Sequence, residues 1–552
     1  MRSYLNIIAV LLIITFTSCK QNPSADRIYI NAKIWTGDSA NPNASAIALK
    51  DSTILYVGND YASFKGPQTE IIDVEGKMIV PGFIDNHTHF LMGGYQLASV
   101  NLRDAKSRAA FIQILKEYAL SITSDRWIKG GDWDHEAWGG ELPRKEWIDS
   151  VTGNHPVYIS RYDGHMALVN SYVLKKAGID KNTPDPKGGE IIRDPKTGEP
   201  TGVLKDAAMQ LVDRVVPADT EEELDESLAR AVQHALERGV TQVTDMGSYG
   251  GWLDLSVYRR AYAKHKPGLR IYAMVPINTW SKLDSFVQQN GRGDNMLRWG
   301  GLKGFVDGSL GSTTAWFFDP YLDAPGATGL QVTDTVLLRN WILQADSAGL
   351  QIATHAIGDR AINWVLNVYA EADTRQKKDH RFRIEHAQHI AAPDIPRFAA
   401  QNVIASMQPY HAIDDGKWAY KRLDSARLKG TYAFKNLVKN KALVSFGSDW
   451  TVAPIDPIEG IYAAVTRRTL DDKNPDGWFP EEKLSVEQAL TNYTVNNAFA
   501  GFHEQKTGKL KAGMLADLVV LSDDLFAVEP QKLRDVKVLR TILNGKEVFV
   551  KK

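Results

Sequence analysis

Short apolar runs alternate with helical patterns from residue 83 to residue 446, and that alternation limits the fold more than any other feature of the chain. Parallel strands need a crossover of a dozen or more residues, usually a helix. Alternating strand and helix patterns therefore point to βα units around a parallel sheet. Strand candidates lie at 83–84, 157–160, 240–244, 301–306, 350–354, 382–384, 403–407 and 443–446. Eight is the number that closes a (β/α)8 barrel. Between them, Thr220 and Glu223 make a capping box, and Leu224, Leu228, Val232 and Leu236 fall four apart on one helical face. Asp334 opens another helix and Gly349 closes it.

Both ends of the chain carry β patterns instead. A strand is predicted at 28–36, and runs at 46–50 and 53–58 flank Asp51-Ser52 as a hairpin. Near the other end, 516–521 reads as a strand, and 538–543 and 547–550 flank Asn544-Gly545, a strong hairpin signal. The expected fold is α/β: a (β/α)8 TIM barrel over 81–504, with a small composite β-sandwich domain built from 28–80 and 505–552. Insertions in the barrel are expected near 103–144 and 180–201, the second a hairpin turning at Asp194-Pro195-Lys196-Thr197-Gly198.

Residues 1–19 have the layout of an export signal. Arg2 precedes an apolar run over 5–16 that is too short to span a bilayer comfortably, and a polar tether follows at 20–27. Cys19 is the one cysteine of the chain, so no internal disulfide can form. A small residue before a cysteine at this place resembles a bacterial lipoprotein signal, which implies a cell-envelope protein lipid-anchored at Cys19. Phe16 departs from the leucine usual three residues before that cysteine.

The chemistry begins at His87 and His89. Residues i and i+2 share one face of a strand, so two imidazoles can grip a single ion there. Imidazole suits zinc, and also iron, nickel or copper. Barrel enzymes place their chemistry at the C-terminal strand ends. Those ends supply Lys303, His355, His386 and Asp449. One histidine at a strand end is more often a hydrogen-bonded structural residue, but four histidines and an aspartate at ordered strand ends favour a metal site. His165 either meets a substrate or sits satisfied in the core. Trp133, Tyr410, Trp450 and Trp478 either wall a substrate pocket or pack in the core. Gly308-Ser309-Leu310-Gly311 either presents N–H groups to a ligand or is only a tight turn.

Several stretches together carry a family resemblance: Pro81-Gly82-Phe83-Ile84-Asp85-Asn86-His87-Thr88-His89, Gly131-Asp132-Trp133, Asp163-Gly164-His165, Asp307-Gly308-Ser309-Leu310-Gly311-Ser312, His355-Ala356-Ile357-Gly358-Asp359, Ile384-Glu385-His386-Ala387-Gln388 and Gly447-Ser448-Asp449. The chain resembles the metal-dependent amidohydrolase superfamily, and within it amidohydrolase family 3, the branch with N-substituted formamide deformylase-like proteins. The resemblance implies that His87 and His89 hold one metal ion and His355 and His386 a second. It implies that Lys303 carries a CO2-derived carbamate bridging the two; a free ammonium is a poor ligand, whereas a carbamate is an anion with two oxygens. Asp449 would touch the first ion and take a proton from the attacking water.

The activity expected is hydrolysis of a C–N, amide-like bond of a small molecule by a metal-activated water, with one or two zinc ions. Its rivals are an N-acyl-amino-acid deacylase, for which Arg161 and Arg360 could meet a substrate carboxylate, and a cyclic-amide hydrolase. From another class, a non-catalytic binding lipoprotein is disfavoured by the full ligand set. Lys plus Arg at 65 against Asp plus Glu at 66 leaves no basic footprint for nucleic acid. The only membrane contact expected is the lipid anchor.

Overall fold

A computed structural model describes residues 23–123, 126–161, 166–186, 189–247, 251–264 and 268–552. Eight parallel strands make the central sheet: Phe83–Thr88, Val240–Asp245, Arg270–Pro276, Leu297–Phe305, Gln351–Ala356, Arg383–His386, Ile404–Met407 and Val444–Phe446. Each pairs with the next in parallel. The last meets the first at its C-terminal end, where the Asp449 N–H donates to the His87 carbonyl and the His89 N–H to the Trp450 carbonyl, both at 2.7 Å. Asn497 reinforces that seam, donating to the carbonyls of Ile84 and Phe446 and accepting from the Phe446 N–H. The barrel is thus closed by the backbone of the residues read as metal ligands.

Helices cover the outside. In Glu221–Leu236 the capping box forms as expected, Thr220 Oγ1 accepting from the Glu223 N–H at 3.2 Å and Glu223 Oε2 from the Thr220 N–H at 2.9 Å. Leu224, Leu228 and Leu236 then enter the main core, with Val232 half-buried beside them.

Two strand assignments change. Tyr158–Arg161 is not a barrel strand. It pairs with Gly130–Trp133 and Met166–Val169 in a separate six-stranded sheet that also holds Val100–Asn101, Gly189–Arg193 and Pro200–Asp206. That sheet has its own core, including Phe111, Leu115, Trp133, Trp147 and Ile159. The segments near 103–144 and 180–201 therefore belong to one insertion between the first two barrel strands. The missing barrel strand is Arg270–Pro276, which opens on a charged residue with a distant partner: Arg270 Nε and Nη2 bond the two carboxylate oxygens of Asp517 at 2.6 and 2.8 Å.

Asp517 leads into the composite sandwich. One sheet runs Thr53–Gly58, Ala46–Lys50, Arg27–Ile30, Glu70–Asp73; the other runs Lys546–Val550, Val538–Leu543, Leu518–Leu521, Met78–Pro81, Lys33–Trp35, Asn43–Ala44. Ile47, Leu49 and Ile54 meet Leu518, Val520 and Ile542 between them. The chain crosses from sandwich to barrel through Gly82 alone, since Met78–Pro81 ends just before Phe83–Thr88 begins. A Cβ on Gly82 would lie 2.2 Å from Thr241 Oγ1, so the crossing admits no side chain.

Candidate metal centre

His87, at the end of the first barrel strand, is fully buried. Its Nδ1 lies 2.6 Å from Glu385 Oε2, and the Nδ1 of His89 lies 2.6 Å from the Gly247 carbonyl. Each acceptor holds the proton on Nδ1 and leaves the Nε2 lone pair free. Both Nε2 atoms then face one oxygen, Asp449 Oδ1, at 3.4 Å. A tetrahedral ion about 2.0–2.1 Å from its ligands needs donors roughly 3.3 Å apart. The three side chains fit that requirement, and all three are buried.

The other carboxylate oxygen has neighbours of its own. Asp449 Oδ2 lies 4.0 Å from His386 Nδ1 and 4.0 Å from His411 Nε2. His386, His411 and Asp449 make a second buried group of potential donors. His355 belongs to neither group among the described residues. Its ring stands 4.5 Å from that of His386, but its Nε2 faces the Gly308 carbonyl at 3.0 Å. Asp307 sets that corner: its carboxylate accepts from the N–H groups of Trp316, Ile357 and Gly358 at 2.8–3.0 Å. Lys303 is buried with Nζ 3.5 Å from His87 Nε2, and among the described residues no carboxylate pairs with it.

Burial dominates the electrostatics. It pushes the Lys303 ammonium down to about 8 and His355 down to about 3. Burial pushes Asp449 up, but the imidazoles of His87 and His89 outweigh it and hold the carboxyl well below its usual range. Glu385 behaves alike, with Arg383 first among the groups that overcome burial. Asp449 and His386 sit at φ +58° and +74°, where side chains are rarely tolerated. Such strain costs of order 1–3 kcal/mol per residue and gathers where the surroundings over-determine a site.

The aromatic expectations fare differently. Trp133 is fully buried in the insertion core with its indole N–H donating to the Ile159 carbonyl, so it cannot line a pocket. Trp450 stacks on His234 at 5.3 Å and covers Gly93, leaving 5% of its surface exposed. Trp478 packs edge-on to Tyr432 and Phe479, under the guanidinium of Arg467. Tyr410 is half-buried beside His411. Arg161 bonds His135 and Asp134, and Arg360 lies over the Trp316 ring at 4.6 Å. In the Gly308 loop, the N–H groups of Gly308, Ser309 and Ser312 bond within the loop itself, which favours the tight turn over a ligand cradle. His165 and Cys19 lie outside the described residues.

Reading strand ends alone missed His411, which sits on the first turn of the helix Pro409–Asp415, four residues beyond strand Ile404–Met407. It also missed the part of Glu385.

The amidohydrolase family profile matches residues 70–549. Protein LONG AFTER FAR-RED 3 of Arabidopsis thaliana is 41% identical over 539 residues, covering 95% of this chain and 92% of that one. Putative amidohydrolase YtcJ of Bacillus subtilis is 32% identical, covering 94% and 98%. N-substituted formamide deformylase of Arthrobacter pascens is 27% identical, covering 94% and 97%. Among solved structures, an uncharacterized metal-dependent hydrolase from Pyrococcus furiosus superposes with a TM-score of 0.74 at 27% identity, over 91% of this chain and 99% of that one.

Proposed function

The chain belongs to the amidohydrolase family of metal-dependent hydrolases, and from that premise we propose that it cleaves a C–N bond of an amide-like small molecule, with water as the nucleophile. The observation that carries the reading is the buried triad of His87, His89 and Asp449 with its two 3.4 Å spacings. The deformylase relative lends the bond class its support.

A divalent ion held by this triad, zinc by the chemistry of its donors, supplies polarisation of a carbonyl and water acidified towards ~7. The chain's own groups do the rest. Glu385 and the Gly247 carbonyl fix the tautomers that turn both Nε2 lone pairs inward. Asp449 Oδ1 would complete the donor set with those nitrogens, and the carboxylate takes the proton of the attacking water and passes it to the leaving amine. Lys303, a buried amine that no carboxylate pairs with among the described residues, is suited to carry a carbamate: the ammonium would lose one proton, and the neutral Nζ would bond the carbon of CO2 and release a second, so a cation facing histidines would become an anion.

Assay of N-formyl, N-acyl and cyclic amides on zinc-loaded protein tests the reading. Release of an amine from one of these classes, abolished by chelation and restored by metal, is the expected result. Activity indifferent to chelation, or no turnover in any class, would refute it. Export with lipidation at Cys19 is part of the proposal and rests on sequence alone; Cys19→Ser should lose incorporation of labelled fatty acid, and equal labelling would remove Cys19 as the anchor.

A further inference from the structure

The end of the barrel away from the metal centre holds a cavity of about 290 Å³. It opens where three barrel strands begin. Tyr272, Arg298 with Trp299, and Gln351 stand at or near the first residues of Arg270–Pro276, Leu297–Phe305 and Gln351–Ala356. Gly501 and Phe502, just past the helix Val495–Ala500, close another side. Lys303 lies five positions beyond Arg298 on the same strand, about 17 Å along it. The cavity is therefore separate from the candidate metal centre.

Its charges do not balance. Lys378 lies 3.2 Å from Asp346, and Asp379 lies 2.9 Å from Arg381, so these two lining residues are already paired. Arg292 and Arg298 line the same cavity and pair with no carboxylate among the described residues. Arg292 donates to the Gly349 carbonyl at 2.8 Å. Arg298 donates to the Phe502 carbonyl at 3.0 Å and to the Gly501 carbonyl. Burial lowers the pKa of Arg298, as expected of a cation taken from water with no counter-charge beside it. Capping the helix Val495–Ala500 explains its two carbonyl bonds. It does not explain a second guanidinium on the same cavity.

The walls say what the missing anion carries. The Tyr272 ring lies under the Arg298 guanidinium, 5.0 Å from Cζ, and stacking leaves the N–H edges to a planar acceptor. Trp299 is a second aromatic wall, its indole N–H already donating to the Gly291 carbonyl at 2.8 Å. Gln351 is buried, gives Nε2 to the carbonyls of Arg381 and Ala500, and keeps Oε1 without a partner. Buried polar atoms are nearly always satisfied, so this lining calls for a polar occupant.

We propose that the cavity binds a small aromatic carboxylate, with Arg292 and Arg298 taking the acid group and Tyr272 and Trp299 the ring. Guanidinium and carboxylate match as planar, two-pronged partners. The volume lies at the lower end of the ~300–1,000 Å³ common for ligand cavities, so one ring with one acid group fits.

Fluorine NMR on the full-length, zinc-loaded protein tests this, with 4-fluorobenzoate as the probe and 4-fluorobenzyl alcohol and inorganic phosphate as comparisons. Saturable broadening of the benzoate signal is expected. Arg292→Gln and Arg298→Gln should each weaken its affinity by about tenfold or more, in line with the loss of a hydrogen bond between charged groups. The neutral alcohol should bind at least about tenfold less tightly. Chelation of the metal should leave benzoate binding in place. No saturable broadening at millimolar probe overturns the proposal, as does wild-type affinity in either variant. Binding lost on chelation overturns it by moving the probe to the metal centre. Equal affinity for the alcohol, or displacement by equimolar phosphate, overturns it by removing the aromatic carboxylate as the ligand. Should Arg298→Gln misfold by circular dichroism, Arg292→Gln, at an exposed residue, decides under the same criteria.

Discussion

Glu385 binds three partners at once: His87 Nδ1, Arg383 Nε and Ser406 Oγ, each at 2.6 Å. Glu385→Gln keeps the shape and removes the charge, and the new amide can present a donor to His87. The imidazole would then turn its proton onto Nε2, the atom needed for metal. We expect metal affinity to fall about 10–100-fold. Stability should fall by about 3–5 kcal/mol, because Arg383 stays buried without its counter-charge. Metal titration and urea denaturation check the two effects, and unchanged affinity would clear Glu385 of this part. Asp449→Asn removes the proton carrier, and turnover on an identified amide should drop by about 10²–10⁴-fold; near-wild-type turnover would take Asp449 out of the chemistry. At this scale the ligands on strands were readable from sequence, since His87, His89 and Asp449 end apolar runs. Glu385 was visible only as a letter in a motif, because the histidine it orients lies 298 residues away. His411 was hidden by standing on a helix rather than at a strand end.

Gly82 marks where one element becomes another. Gly82→Ala drives a methyl against Thr241, itself buried. Overpacking of this kind costs about 1–3 kcal/mol. Thr241→Ala in the same chain should recover part of that loss, since it deletes the two nearest atoms, Oγ1 and Cγ2. Equal stability of the single and double variants in thermal melts would show that the clash is relieved elsewhere. Elements were legible where local pattern and burial agree. The strands at 240–244, 382–384 and 403–407 were read nearly as they form. The strand Arg270–Pro276 was not, because Arg270 breaks the apolar run and its counter-charge, Asp517, lies 247 residues on. Tyr158–Arg161 was readable as a strand but not as a member of a second sheet, because its partners are set by tertiary pairing.

The molecule as a whole is a barrel clamped to a sandwich, and Arg270 with Asp517 is the clamp. Arg270→Met leaves Asp517 buried and unpaired and should cost about 3–5 kcal/mol, whereas the double change to Met and Leu should cost less than the single one. A second whole-molecule property is acid sensitivity. Burial holds His389 and His503 neutral, each with its pKa lowered to about 3. The unfolded chain protonates both below about 6.5, so stability is full above that pH and lost as pH falls towards 3. Each histidine adds a slope of about 1.4 kcal/mol per pH unit in that window. His503→Gln should flatten the fall in denaturation midpoint, and an unchanged slope would exclude it. The sandwich also dictates a timetable. Met78 and Leu525 touch across 447 residues of chain. At ~5–20 residues per second a ribosome needs roughly 20–90 s to deliver the second after the first. Through that interval Met78–Pro81 has no Leu518–Leu521 beside it, a bare apolar edge in a growing chain. Losses from aggregation or chaperone capture should therefore fall on nascent chains, and a stop codon placed before residue 518 should make them permanent.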